Sequence, residues 1–186
     1  MTGRMTEFFQ PISFSLWSDQ KTDFATALGR SFRETGFAVI SDHPIPQGVI
    51  DRAVEASKTF FALPADVNEA YHDAAGGRQR GYTPFATENA KGAKAADLKE
   101  FWHTGRHLPD DSSYRATMKE TPHVAEVDEF DEATRDFYEA RDSFGAQLLH
   151  AVALHLGLPE TRFDTKVQFG NSILRLLLYP PQENTP

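Results

Sequence analysis

Residues 172–186 read SILRLLLYPPQENTP, and the reading of this stretch decides the fold. From 173 to 179, six of seven side chains are apolar or aromatic. Pro180 and Pro181 close the run, because proline has no N–H to give a β-ladder. The expectation is a strand over 173–179. Ile173, Arg175, Leu177 and Tyr179 fall on one face, with Leu174, Leu176 and Leu178 on the other. Both faces are largely apolar, as in a strand covered on both sides. Such a strand needs a sheet around it. The chain stops soon afterwards, so it is expected to end inside its own domain.

The whole chain has 186 residues, 40% of them hydrophobic, with 15 phenylalanines. That suffices for one large domain, or one and a half small ones, with a sizeable core. The net charge of −8 argues against non-specific nucleic-acid binding, which needs a positive field along the phosphates. There are no cysteines. Disulfides, thiolate nucleophiles and Cys-ligated zinc or iron–sulfur clusters are therefore excluded. The N-terminal MTGRMTEFFQ has no apolar core of a signal peptide, and no window has the roughly 18 apolar residues of a membrane helix. A cytoplasmic protein without nucleic-acid or membrane partners is expected.

Working back from the last strand, residues 127–156 carry a helical pattern through Phe130, Thr134, Phe137, Arg141, Phe144, Leu148 and Val152. Gly157 and Pro159 end it. A helix is also expected over 18–36, with Phe24, Leu28 and Phe32 as its stripe, Ser18 or Asp19 as cap and Gly36 as terminator. FAVI (37–40) reads as a buried strand and Ile12 and Phe14 as a short one. A helix starting at Pro46 carries Val49, Ile50, Ala53, Val54, Ser57 and Phe60 or Phe61 on one face, and a shorter one starts at Pro64. LKEFWHTGRHL (98–108) reads as a strand. Residues 73–96, rich in Gly, Ala and Lys, show no period and read as a long, mobile loop.

Several sites of chemistry are excluded. GGRQRG (76–81) lacks the Lys-Ser/Thr of a phosphate loop. There is no G-x-S-x-G elbow and no H-E-x-x-H. His103 and His107 on a strand would sit about 13 Å apart, too far to share a metal. They read as surface or half-buried polar residues, and His150 and His155 as residues at the edge of a core.

Four stretches together resemble one family. GFAVISDHPIPQGVIDRAVEASKTFFALP, RGYTPFATENAKGAKAADLKEFWHTG, LHAVALHLGLP and ILRLLLYPP are similar, in that order, to segments of the isopenicillin N synthase-like 2-oxoglutarate- and Fe(II)-dependent dioxygenases. The likeness covers about residues 36–181. His43-Pro44 departs from the usual His-Gly, and Leu177 stands where some relatives carry Asn. The resemblance implies an α+β fold: the N-terminal helical and strand region of a double-stranded β-helix, or jelly roll. Most of the catalytic barrel would be absent from this chain. It divides the chain into an N-terminal region (1–122), a long central helix (123–170) and the first part of the jelly roll (171–186).

In that family a His-x-Asp…His triad holds the iron, and an Arg-x-Ser grips 2-oxoglutarate. No His-x-Asp occurs here, and the one Arg-x-Ser, Arg141-Asp142-Ser143, stands inside the expected helix 127–156 rather than beyond the last strand. No catalytic or metal-ligating residue is therefore expected, and the chain alone is expected to be inactive and to bind neither Fe(II) nor 2-oxoglutarate. The resemblance implies that Tyr179 lies inside the barrel, its hydroxyl reaching the carboxylate of co-substrate or substrate. Arg80 and Tyr82, on the long loop, are the candidates for covering the substrate. Arg175, on a buried strand, needs a partner and is a further candidate substrate contact beside a structural ion-pair role. Asp97 and Glu100 read as solvated or paired with nearby Lys or Arg.

The implied function is oxidation of a small organic substrate (hydroxylation, desaturation or cyclisation) as part of a larger enzyme. The alternative is a stand-alone α+β binding module derived from the same half. If the barrel is missing, strand 173–179 is expected to expose apolar area and drive self-association.

Overall fold

The computed structural model describes residues 10–89 and 96–181. The expectations for residues 1–6, for the middle of loop 73–96 and for the last five residues lie outside these. The chain forms two compact units, Met1–Pro46 with Ala140–Gly170, and Gln47–Glu139 with Asn171–Pro186. They cut across the division at 122 and 170, because one long helix contributes to both. That helix, α5, runs over Phe130–His155.

The first unit contains the strands β1 (Ile12–Ser13) and β2 (Ile40–Ser41), paired in parallel with Ile12 opposite Ile40. Between them lie the helices α1 (Leu16–Asp19) and α2 (Lys21–Thr35). Phe24, Ala25 and Leu28 form the buried stripe of α2. Gly36, at φ 80°, closes that helix, its N–H donating to the Phe32 carbonyl at 2.9 Å. No Ser18 or Asp19 side chain caps α2; Gln20 stands at its N-cap position and the side chain makes no capping bond. Phe14, Trp17, Phe24, Leu28 and Ala151 form the core, with Phe144 and Leu148 of α5 packed against it. A short α6 (Asp164–Val167) follows.

FAVI is not a buried strand. Only Ile40 pairs, and alternation splits the run: Ala38 and Ile40 pack on the core, while Phe37 and Val39 are exposed. Phe32, expected in the α2 stripe, is also exposed.

The second unit is built on a sheet of three described strands, β3 (Gly81–Thr83), β4 (Glu100–Gly105) and β5 (Ile173–Leu178), in the order β3-β4-β5 and antiparallel throughout. The helices α3 (Gln47–Phe61) and α4 (Ala65–Glu69) precede it. Its core is aromatic. Phe60 on α3 meets Tyr71, Tyr82 and Trp102 edge-on and stacks on Phe130 of α5. Such pairs contribute about 0.5–1.5 kcal/mol each beyond burial. Val124 and Val127 complete it.

Gly81 is a point of close approach. Its φ is +76°, and a Cβ there would lie 2.5 Å from the Tyr71 carbonyl oxygen. The neighbouring Tyr82 N–H donates to that carbonyl at 3.1 Å. Segment 71–72 thus lies against the start of β3, bridged through His72 and Gly81.

Candidate functional site

The register of β4 and β5 sorts their side chains. Phe101 stands opposite Leu177 and His103 opposite Arg175; Trp102 stands opposite Leu176 and Thr104 opposite Leu174. Since side chains alternate along strands, Trp102, Leu174 and Leu176 share the face that carries the aromatic core. Phe101, His103, Arg175 and Leu177 share the other. On that second face Ile173, Leu177 and Tyr179 are 37%, 49% and 59% exposed. Strand 173–178 is therefore covered on one side only, and among the described residues its one strand neighbour is β4.

The exposed face carries a charged cluster. The Arg175 guanidinium carbon lies 4.3 Å from the centre of the Phe101 ring. Its Nε donates to His103 Nε2 at 2.6 Å, and Nη1 is 3.6 Å from Glu88 Oε2. Lys99 Nζ is 2.7 Å from Asp97 and 3.4 Å from Glu88, and lies over the same Phe101 ring at 6.0 Å. Hydrogen bonding from its ammonium to Asp97 raises the Lys99 pKa. Asp97 is thus paired with a nearby Lys, as expected.

Arg175 and Tyr179 are where the strand reading puts them, on the open face. Arg80 and Tyr82 are not on a solvated loop. Tyr82 lies in β3 opposite Trp102 and is 4% exposed. Its hydroxyl donates to Glu100 Oε2 at 2.5 Å. Burial, and then that bond, push its pKa well above the usual tyrosine value. Tyr82 is a core residue on the sheet face opposite Arg175. The physical reason is that a strand of only three residues, itself beginning with Gly81 and preceded by Gly77, pairs with β4 across twenty residues of sequence, which local periodicity cannot show.

Arg80 is likewise buried. Its Nη1 donates to the Gln79 carbonyl and its Nη2 to Asn171 Oδ1, both at 2.7 Å. Its guanidinium occupies the space where a Cβ of Gly105 would stand, and burial lowers its pKa. Arg80 ties the approach to β3 to the residue just before Ser172 and β5. It is a tether, with its Nη groups spent on the protein.

Sequence reasoning missed Lys99, His103 and Glu88. The usable signal was alternation within EFWHTG, which places Phe101 and His103 together on the face opposite Trp102. His103 is not half-buried but 3% exposed. His107 lines a separate recess of about 320 Å³ with Arg106, Glu120, His123, Asp131 and Arg135, which contains none of the four candidate residues. Among the described residues no group of three or more His, Asp or Glu side chains is placed to hold a metal ion. These residues do not fit an iron centre. The open face instead offers a fixed cation, an aromatic floor and an apolar rim, a combination suited to one anionic group on a small organic molecule.

Residues 10–126 match the family described as non-haem dioxygenase in morphine synthesis, N-terminal. The chain belongs to that family. The chain is 28% identical to the 2-oxoglutarate-Fe(II) type oxidoreductase hxnY of Emericella nidulans, over 87% of this chain and 48% of that protein. It is 32% identical to the proline hydroxylase buaE of Petromyces alliaceus, over 84% of this chain and 49% of the relative. Among solved structures, a 2OG-Fe(II) oxygenase family protein from Caulobacter crescentus superposes with a TM-score of 0.88 at 45% identity, covering 95% of this chain and 57% of that one. A full-length Neurospora crassa protein solved in complex with alpha-KG gives 0.78 at 26% identity, over 92% and 54%. The chain thus spans about half the length of the curated relatives it matches.

Proposed function

We propose that this chain is the N-terminal half of a 2-oxoglutarate- and Fe(II)-dependent oxygenase that oxidises a small organic substrate. Its contribution would be the open sheet face of Phe101, His103, Arg175, Leu177 and Tyr179, as one wall of the substrate chamber. The observation that carries this reading is the one-sided burial of β5: a core face covered by helices and an apolar, cation-bearing face on which Ile173, Leu177 and Tyr179 are 37–59% exposed, with Phe101 and His103 buried under the Arg175 side chain. Family membership supports the chemistry, and the neighbours support the size of the substrate. The same Neurospora crassa protein has been seen with thymine and with 5-formyluracil, and one relative is named a proline hydroxylase.

In the complete enzyme, bound iron and 2-oxoglutarate supply the oxygen activation. The residues of this chain bind and orient. Arg175 holds an anionic group of the substrate, Leu177 and Ile173 keep water away, and the Tyr179 hydroxyl donates to a carboxylate of co-substrate or substrate. Arg80 and Tyr82 act from behind the wall, fixing β3 and β5. The chain alone lacks the activity. The test is joint binding of Fe(II) and 2-oxoglutarate, expected for the complete enzyme and absent from this chain.

The same open face gives a prediction for the isolated chain. Exposed apolar area is worth about 25 cal/mol per Å² when reburied, and a free strand edge pairs readily with another chain. In sedimentation the isolated chain is expected to run as dimers or larger species. Leu177→Lys, which puts a charge on that face, is expected to shift it toward monomer. A compact monomer at high concentration, with the amides of 173–178 protected from exchange, would contradict this.

A further inference from the structure

Phe101, His103 and Arg175 form a connected unit whose hydrogen-bond roles are set by chemistry. The Arg78 carbonyl oxygen, 2.8 Å from His103 Nδ1, can only accept, so Nδ1 carries the hydrogen. Arg175 Nε, 2.6 Å from His103 Nε2, can only donate, so Nε2 is bare. The imidazole is therefore neutral, in the Nδ1–H form, with both nitrogens engaged. Phe101 fixes the plane of the guanidinium from below, and His103 fixes its rotation within that plane. Nη2 of Arg175 makes no hydrogen bond or ion pair with the described residues.

We propose that His103 is a positioning residue which, only as the neutral Nδ1–H tautomer, locks the Arg175 guanidinium onto Phe101 as a receptor for an anionic group, and that protonation of His103 releases the lock. A proton on Nε2 would face the Arg175 Nε–H donor to donor and add a second positive charge beside it. The charged groups around His103 are Arg175 on β5, Arg80 before β3 and Glu88 after it; Lys99, just before β4, is held by Glu88 and Asp97. Burial holds the His103 pKa below its ordinary 6.5, and the charges of Arg175 and Arg80 add to this. The Arg78 carbonyl and Glu88 act the other way without reversing it. The unfolded chain then takes up this proton near pH 6.5 and the folded one at a lower pH. The contribution of His103 to stability is complete above that value and is lost as the pH falls through the folded one.

The anionic ligand rests on the function proposed above; the lock does not. The experiment is ¹⁵N NMR of the chain, without iron or 2-oxoglutarate, following His103 Nε2 and Arg175 Nε–H with acetate as the anion probe. At pH 7.5 the expected result is one His103 tautomer with an unprotonated Nε2 and an Arg175 Nε–H slow to exchange. That protection should collapse in the same step in which His103 titrates. His103→Gln, whose side-chain oxygen can accept from Arg175 but does not titrate, should keep the protection and lose the pH step. His103→Phe should lose the protection at every pH and bind acetate at least about tenfold more weakly. Protection unchanged through the His103 titration, or a pH step that persists in His103→Gln, would overturn the lock, and both readings hold even if His103→Phe fails to fold. Equal acetate affinity in a folded His103→Phe would overturn the receptor role. A failed lock leaves the oxygenase reading standing, and a failed oxygenase reading leaves the lock measurable.

Discussion

Trp102→Ala is expected to destabilise the second unit by about 3–5 kcal/mol, the range for truncating a large buried aromatic. Trp102 is fully buried on β4. Its ring meets Phe60, Tyr71 and Phe130, all edge-on. Its indole N–H donates to Thr104 Oγ1 at 3.0 Å. Alanine would remove three ring contacts at once and leave that hydroxyl without its donor. The surrounding rings sit on a sheet and two helices, so collapse into the void is limited, and the cost should fall in the upper part of the range. Urea unfolding followed by far-ultraviolet dichroism, and by amide exchange of β3, β4 and β5, would measure it. A loss under about 1 kcal/mol, well below that range, would mean that the aromatic cluster is not the centre of this unit.

Gly81→Ala is expected to cost about 2–5 kcal/mol, the sum of two effects. Part of this is the left-handed backbone, about 1–2 kcal/mol for a residue with a Cβ. The rest is crowding, about 1–3 kcal/mol. The Cβ would stand 2.5 Å from a backbone oxygen, that of Tyr71, and 3.2 Å from Pro122. A side chain can rotate away; the Tyr71 carbonyl cannot, since it accepts the Tyr82 N–H. β3 would have to shift against β4. The expected signature is a lower urea midpoint with an unchanged slope, because the surface exposed on unfolding is the same. A midpoint equal to that of the parent chain would contradict the close approach.

The long elements were legible because their signals are local and periodic. The helix expected over 127–156 is found at Phe130–His155, and the strand expected over 173–179 at Ile173–Leu178. Gly36 ends α2 as its position suggested. What could not be read depends on pairing between distant residues. β3 owes its existence to β4 and sits in a stretch whose glycines mask it, so Arg80 and Tyr82 were placed on the loop. FAVI looked buried because four apolar residues in a row carry no alternation of their own; pairing with Ile12 decided which side faces in. Arg175 and Tyr179 could be set on one face with Ile173 and Leu177 because their strand could be recognised. His103 was missed because a single histidine among apolar neighbours carries no sign of the arginine that faces it across the sheet.

We propose that this chain supplies a wall of the chamber while the iron ligands lie elsewhere in the complete enzyme. An anaerobic titration with Fe(II) and 2-oxoglutarate tests it, read by the visible charge-transfer absorption of a 2-oxo acid chelated to Fe(II). The isolated chain should give no such absorption. The complete enzyme, this chain joined to its iron-bearing half, should give it at one equivalent of each. There, Tyr179→Phe should weaken 2-oxoglutarate binding by roughly 10–100-fold if its hydroxyl serves the co-substrate, the loss of one hydrogen bond to a charged group at about 1.5–3 kcal/mol. The absorption in the isolated chain, or its absence from the complete enzyme, would contradict the account.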